Sequence, residues 1–484
     1  MTTDPRARWL ALYVLCLGDL MIVLDGTIVN VALPSIRADL GFTQTSLAWV
    51  VNAYLLTFGG FLLLAGRLGD LFGRRRLFLL GIALFTVASL GCGMADSRGL
   101  LVAARAVQGL GGAVVSAAAL SLLMTLFAGQ AERAKAMGIF GFVLSGGGVA
   151  GVLLGGVLTD VLSWHWIFLV NLPVGASVYL LSLRLLPPAR AEGASGRVDV
   201  AGAVTVTGSL VLVVYALVNG SEKGWTSTQT LGLLAGSAFL LAAFLVIEAV
   251  ISAPLVPLGL FANRNVSTAN LVGVLMAAGM FAYFFFSSLY LQRVLSYVPL
   301  EVGLAYLPGT IVWGASSFLL SDRLVLRFGI KPPLTAGLAL MTLALALLAR
   351  TPADGSWALD VLPATVTAGL GAGIAFNPLL LAAMTGVAQE QAGLASGVVN
   401  TAFMMGGAVG LAGLASLAAS RTATLSASGH ASLAAVNRGY HLAFLVGAVF
   451  VVASAAVSAL LRVGPAHASD AETLVGAPVA AEAE

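Results

Sequence analysis

The chain has 484 residues, of which 59% are hydrophobic and 9% charged, and so little charge cannot cover a soluble globule of this length. A net charge of +3 from scattered basic residues leaves no nucleic-acid footprint. Two cysteines, Cys16 and Cys92, both within apolar runs, and four dispersed histidines exclude a disulfide framework and a metal-ligand cluster.

Apolar runs bounded by charges or Pro/Gly turns predict fourteen helical spans. The first, 9–33, follows Arg6 and Arg8 but is too long for a signal peptide and is read as retained. It carries Asp25 about sixteen residues into the run, a depth at which an ionised carboxylate is costly and points to a proton or ion relay. The structural alternative is an Asp that caps a broken helix or pairs with a neighbouring Arg. Gly26, Thr27 and Asn30 beside it suggest a lined cavity rather than lipid contact. Asp19, six residues earlier, lies about 9 Å along a helix and faces about 120° away.

The second span, 46–66, runs into Gly66-Arg67-Leu68-Gly69-Asp70-Leu71-Phe72-Gly73-Arg74-Arg75-Arg76, and the third is 77–95. The fourth, 98–124, places Arg105 and Gln108 inside an apolar run. Arg105 cannot plausibly lose its proton, so it would act by altering the proton affinity of a nearby carboxylate or serve as a structural ion-pair partner. The fifth, 134–158, carries Gly147, Gly151, Gly155 and Gly156, which permit close helix crossing. Spans six to eight are 164–185, 200–218 and 231–251. The ninth, 266–291, holds Phe281, Tyr283, Phe284, Phe285, Phe286 and Tyr290, as cavity lining or as packing against helices and lipid. Spans at 301–320, 333–349, 359–384, 393–418 and 440–461 follow, then an Ala-rich acidic stretch, 463–484, read as a disordered tail.

With the N-terminus assigned to the cytoplasm, sixteen of the 24 basic residues fall in inside segments and seven in outside ones, in agreement with the positive-inside rule. Arg105 belongs to neither group. Both termini are then cytoplasmic.

A repeat underlies the count. Ala136-x-Gly138 followed by Gly147-Gly148-x-x-Gly151 recurs as Ala395-x-Gly397 followed by Gly406-Gly407-x-x-Gly410, an offset of 259. Gly109-Leu110-Gly111 recurs as Gly369-Leu370-Gly371 at 260, and Phe72-Gly73 as Phe328-Gly329 at 256. Two homologous halves, 1–190 and 259–462, flank an inserted pair in 191–258, the organisation of a transporter built from repeats. At 256, Asp25 falls on Phe281 and Asp19 on Leu275; at 260, Arg105 falls on Thr365. Buried charge is confined to the first half. Proton coupling is therefore expected at Asp25, Asp19 and Arg105. Substrate contact is expected at Asn30, Gln108, Phe281, Tyr283, Phe284 and Phe285.

The loop Gly66 to Arg76 resembles that between helices two and three of the major facilitator superfamily. The resemblance implies a cytoplasmic gating latch of Gly66, Arg67, Asp70, Gly73 and Arg74. Arg105-Ala106-Val107-Gln108-Gly109 resembles the family's fourth-helix motif, whose Arg is associated with proton transfer. Gly147 to Gly156 resembles the fifth-helix motif of antiporters, with Val152 where Pro is usual. Leu24 to Pro34, Trp164 to Gly175 (with His165 where Arg is common), Asp199 with Gly202, and Gln292 to Pro308 are similar to the fourteen-helix drug:H+ antiporters within that superfamily. The resemblance spans about 9–462. It implies an all-α polytopic membrane protein of major facilitator fold, exporting hydrophobic, often cationic compounds in exchange for protons from a cell membrane. A proton-coupled symporter or importer on the same fold is the alternative. No nucleotide-binding run is present. An enzyme is not expected; neither is a cofactor other than the proton gradient, nor any partner beyond substrate, protons and lipid. A monomer is expected.

Overall fold

The structure is a computed structural model that describes residues 5–127, 130–186, 199–429 and 432–462. The expected tail and part of the linker before the inserted pair lie outside this set. Among the described residues, fourteen spans are long and apolar enough to cross a membrane. The first half comprises α1 (Pro5–Leu40), α2 (Trp49–Phe72), α3 (Arg74–Gly93), α4 (Arg98–Leu126), α5 (Gln130–Val161), a short α6 (Trp166–Leu169) and α7 (Asn171–Leu185). The pair expected to be an insertion is α8 (Val200–Lys223) and α9 (Thr228–Val250). Then follow α10 (Arg264–Leu289), α11 (Pro299–Ser316), α12 (Asp322–Phe328), α13 (Lys331–Leu348), α14 (Leu362–Met384), α15 (Gln389–Ala427) and α16 (Ser432–Ser458). A π turn, Ser317–Ser321, joins α11 to α12 within one span.

Several helices outrun their apolar runs. The first helix extends to Leu40 through Pro34, because its end is held by other elements: the Arg37 guanidinium donates to the Phe42 carbonyl, and Arg98 to that of Leu40. Between α2 and α3 the backbone turns at Gly73 with φ 94°, and between α12 and α13 at Gly329 with φ 80°. Both are conformations that a Cβ disfavours.

Packing repeats between the halves. Helix α1 lies on α5 and α7 as α10 lies on α15 and α16, and α4 lies between α2 and α3 as α14 lies between α11 and α13. Across the halves, α5 meets α11 and α2 meets α15. Helix α9 is inverted in polarity. Its buried residues are Thr230, Ser237 and Glu248, while Phe239, Val246 and Val250 are exposed, as befits a helix at the lipid boundary touching chiefly α8. Asp199 caps α8 by accepting from the Gly202 amide at 2.7 Å.

The glycines of α5 divide their work. A Cβ on Gly151 would lie 3.0 Å from the Leu24 carbonyl oxygen, and one on Gly155 would lie 2.8 Å from that of Ile28; Gly147 faces Leu20 and Val23. Gly156 instead faces the other half, 2.8 Å from the Pro299 carbonyl. Backbone cannot yield as a side-chain tip can. Gly151→Leu is therefore expected to lose at least the 1–3 kcal/mol typical of overpacking, about, whereas Gly148→Leu, whose position faces open space, is expected to be neutral. Thermal unfolding of the two purified variants separates them; equal melting temperatures would disprove tight α1–α5 packing.

Candidate functional site

Asp25 is the centre of a sealed polar cluster built from four helices. Arg105 on α4 reaches its Oδ2 through Nη1 at 2.5 Å, and both side chains are within 1% of fully buried. Gln108, one turn along α4, donates from Nε2 to Asp25 Oδ1 at 2.7 Å and to Ser89 Oγ on α3 at 2.8 Å. Asn171 at the start of α7 donates to Asp25 Oδ1 at 3.2 Å. Arg105 also donates from Nη1 to Gln108 Oε1 at 2.7 Å and from Nε to the Val50 carbonyl at 2.9 Å, while Tyr54 lies under the guanidinium at 4.4 Å. Three donor groups thus converge on the Asp25 carboxyl, an arrangement suited to an acceptor-only group.

Asp19 is built differently. It is 3% exposed and accepts from Ser116 Oγ at 2.5 Å, and among the described residues its Oδ2 has no partner. The two carboxyls share α1 but not an environment.

The residues expected to line a substrate cavity disperse. Gln108 belongs to the charged cluster, because its amide satisfies Asp25, Ser89 and Arg105 at once. Asn30 turns back on its own helix, donating to the Gly26 and Thr27 carbonyls. Phe281 packs against Phe403 and over Gly407, and Phe285 is fully buried edge-on to Phe286. Tyr283 and Phe284 line a cavity with Trp313 and Thr310. Spacing along span nine could not separate these roles, because successive helical residues point about 100° apart and the seam was unknown.

Of the expected latch, Gly66 faces open space and Arg67 is exposed. Arg74 binds the end of α4 through the Ser121 carbonyl at 3.3 Å and the Thr125 hydroxyl. The Asp70 side chain lies outside the described residues. Arg75 donates to the Leu183 carbonyl on α7 at 2.6 Å, because α3 and α7 pack side by side.

One feature escaped sequence reading. Pro34 has no amide hydrogen, so the Asn30 carbonyl lacks its helical donor. Ser288 Oγ on α10 donates to that oxygen at 2.7 Å, and Gln292 Nε2 donates to the Val31 carbonyl at 2.9 Å. These bonds tie the halves together at the end where α1 and α10 finish. Polar residues four apart near the close of span nine were the available signal. Ser288→Ala combined with Gln292→Leu is expected to open this end. Spin labels on exposed Ala38 and Val298 should then show a longer distance population; an unchanged distribution would remove these bonds from the closure.

A family model described as the Major Facilitator Superfamily matches residues 15–411. The chain is 40% identical over 460 residues to a puromycin resistance protein of Streptomyces alboniger, covering 95% of this chain and 91% of that one. It is 38% identical to a cephamycin export protein of Amycolatopsis lactamdurans, covering 95% and 94%. It is 34% identical to a tetracenomycin C resistance and export protein of Streptomyces glaucescens, covering 85% and 76%. Among solved structures, a bacterial homologue of the human lysosomal transporter Spinster, inward-facing and unoccupied, is similar with a TM-score of 0.67 at 17% identity over 96% of this chain and 100% of that one. A peptide transporter of the POT family gives 0.64 at 16% identity over 95% and 98%. At these identities the structures establish the fold alone.

Proposed function

The chain belongs to the major facilitator superfamily, and from that premise we propose that it is a proton-coupled antiporter exporting hydrophobic, in part cationic, antibiotics or metabolites by alternating access. It is a multi-pass membrane protein of a transporter family. Relatives named for puromycin resistance, cephamycin export and tetracenomycin C export support outward drug transport. The proposal places both termini and the basic loops in the cytoplasm and treats 1–190 and 259–462 as the moving halves, with 191–258 as an insertion.

The observation that carries proton coupling is the Asp25–Arg105 pair. A proton on Asp25 removes the negative charge that holds Arg105, and one carboxyl oxygen changes from acceptor to donor. Helices α1, α3, α4 and α7, tied together by this cluster, then have a different preferred arrangement. A proton that binds one arrangement better than another shifts the equilibrium between them. Asp19, with one oxygen that has no partner among the described residues, is the second coupling group on the same helix. Substrate and proton need only favour opposite arrangements for their fluxes to be linked.

The test uses vesicles with an acidic lumen and a pH dye inside, in which the side corresponding to the cell exterior faces the lumen. Adding puromycin or a panel of cationic aromatic compounds outside should alkalinise the lumen if protons leave as substrate enters. Acidification would establish symport, the reading that Val152 in place of the usual proline keeps open. A gradient that no compound perturbs, with compound still accumulating, would reject proton coupling.

A further inference from the structure

The Asp25 cluster has a counterpart in the second half that contains no charge. Contacts set the register. On α5, Gly147 and Gly151 press on Leu20 and Leu24 of α1; on α15, Gly406 and Gly410 press on Val274 and Ala278 of α10. Helix α1 therefore maps onto α10 at an offset of 254 (Leu24 to Ala278), and Asp25 corresponds to Gly279, not to Phe281 as the offset of 256 taken from the following loop implied. Gly111 against Phe85 corresponds to Gly371 against Met341, which keeps 260 for α4 and 256 for α3. On that register Asp25, Arg105, Gln108 and Ser89 become Gly279, Thr365, Ala368 and Leu345.

These four residues line one cavity, the same one that Tyr283, Phe284 and Trp313 wall with aromatic rings. The cavity is partly open, and among the described residues that line it none is charged. In the first half an ion pair and an amide fill this position. In the second, Thr365 and Ala368 are too short to do so. Tyr283 is 7% exposed, and its hydroxyl has no hydrogen-bond partner among the described residues, which leaves a donor at the cavity wall.

An apolar void forfeits dispersion contacts on its lining, and a flat ring entering it recovers them. Offset or edge-on approach to Trp313, Phe284 and Tyr283 adds the geometry that aromatic pairs prefer. A cation would meet no carboxylate there. We propose that this cavity is a binding subsite for an uncharged planar aromatic portion of the transported molecule, with an acceptor placed to meet the Tyr283 hydroxyl. The two halves have thus diverged from one ancestral position, one to hold charge and the other to hold an aromatic ring. The assignment rests on the exporter reading for its physiological meaning, but binding is measurable without any gradient.

The probe is 6-bromo-2-naphthol, whose bromine quenches tryptophan fluorescence at contact, titrated into the purified full-length protein in nanodiscs. Saturable quenching is expected, and the saturable part should vanish in Trp313→Phe. Ala368→Leu, which fills the cavity, should weaken binding at least tenfold. Leu345→Ala, which enlarges it, should bind the probe at least as well as the parent and keeps the test valid if Ala368→Leu does not fold. Quenching that is only linear in probe, as for partition into lipid, would overturn the subsite even if drug export proceeds normally. Saturable quenching that Trp313→Phe or Ala368→Leu leaves unchanged would also overturn it. Cavity-dependent binding in a protein that exports nothing would support the subsite while the exporter reading fell.

Discussion

Asp25→Asn is expected to abolish efflux driven by a pH gradient and to lower the melting temperature, because it leaves the Arg105 cation buried without its anion, while the protein that folds still binds substrate. Asparagine keeps the size of the side chain and one acceptor oxygen, so Gln108 and Asn171 retain a partner on the Oδ1 side. What disappears is titration. An unpaired charged carboxylate at this depth is costly, so gain or loss of a proton at Asp25 changes which arrangement of the pair with Arg105 is preferred. Arg105 would keep its bonds to Val50 and Gln108, so the variant should resemble a permanently protonated protein. Passive substrate exchange down its own gradient should therefore survive. Asp19→Asn is expected to be milder, because its single bond to Ser116 ties α1 only to α4. The measurement is substrate-induced proton movement in vesicles, beside substrate counterflow without a gradient. Coupling retained by Asp25→Asn and lost by Asp19→Asn would reassign the carrier to Asp19.

The second large effect concerns folding as well as transport. Arg105→Ala removes the cationic partner of a fully buried carboxylate and leaves the Val50 carbonyl without its side-chain donor. Breaking one side of a buried pair costs about 3–5 kcal/mol, since the remaining charge is stranded. A sharp fall in the yield of folded protein and in its melting temperature is expected, together with loss of coupled efflux. The double variant Asp25→Asn with Arg105→Ala should recover much of that stability, because the stranded charge is gone, yet remain uncoupled. Arg105→Lys should rescue only partly, since one ammonium cannot serve Asp25, Gln108 and Val50 as the guanidinium fork does. If the double variant were as unstable as Arg105→Ala alone, the cost would lie in lost packing on Tyr54 and Phe168 rather than in charge.

The chain by itself determined the membrane-spanning architecture. Apolar run length and the charges that interrupt it are local properties, and they placed all fourteen spans within a few residues of their helical cores. Asp25 and Arg105 were legible for the same reason: an ionisable residue within an apolar span is conspicuous wherever it points. Helix ends were less legible. The first helix continues past Pro34 and the thirteenth span reaches Ala427, because tertiary contacts rather than hydropathy end them.

Only the tertiary structure decided which side chains share a site. Gln108, Ser89 and Asn171 are small polar residues of a kind common in membrane helices, and nothing in their own runs marks them as partners of Asp25. Their convergence depends on the facing of four helices at once. The register between α1 and α10 was likewise hidden, since the π turn at Ser317–Ser321 and loops of unequal length shift the repeat offset from helix to helix. A two-residue error turns a helix by about 200°. That rotation separates Phe281, packed on α15, from Gly279, which opens the aromatic cavity opposite the charged one.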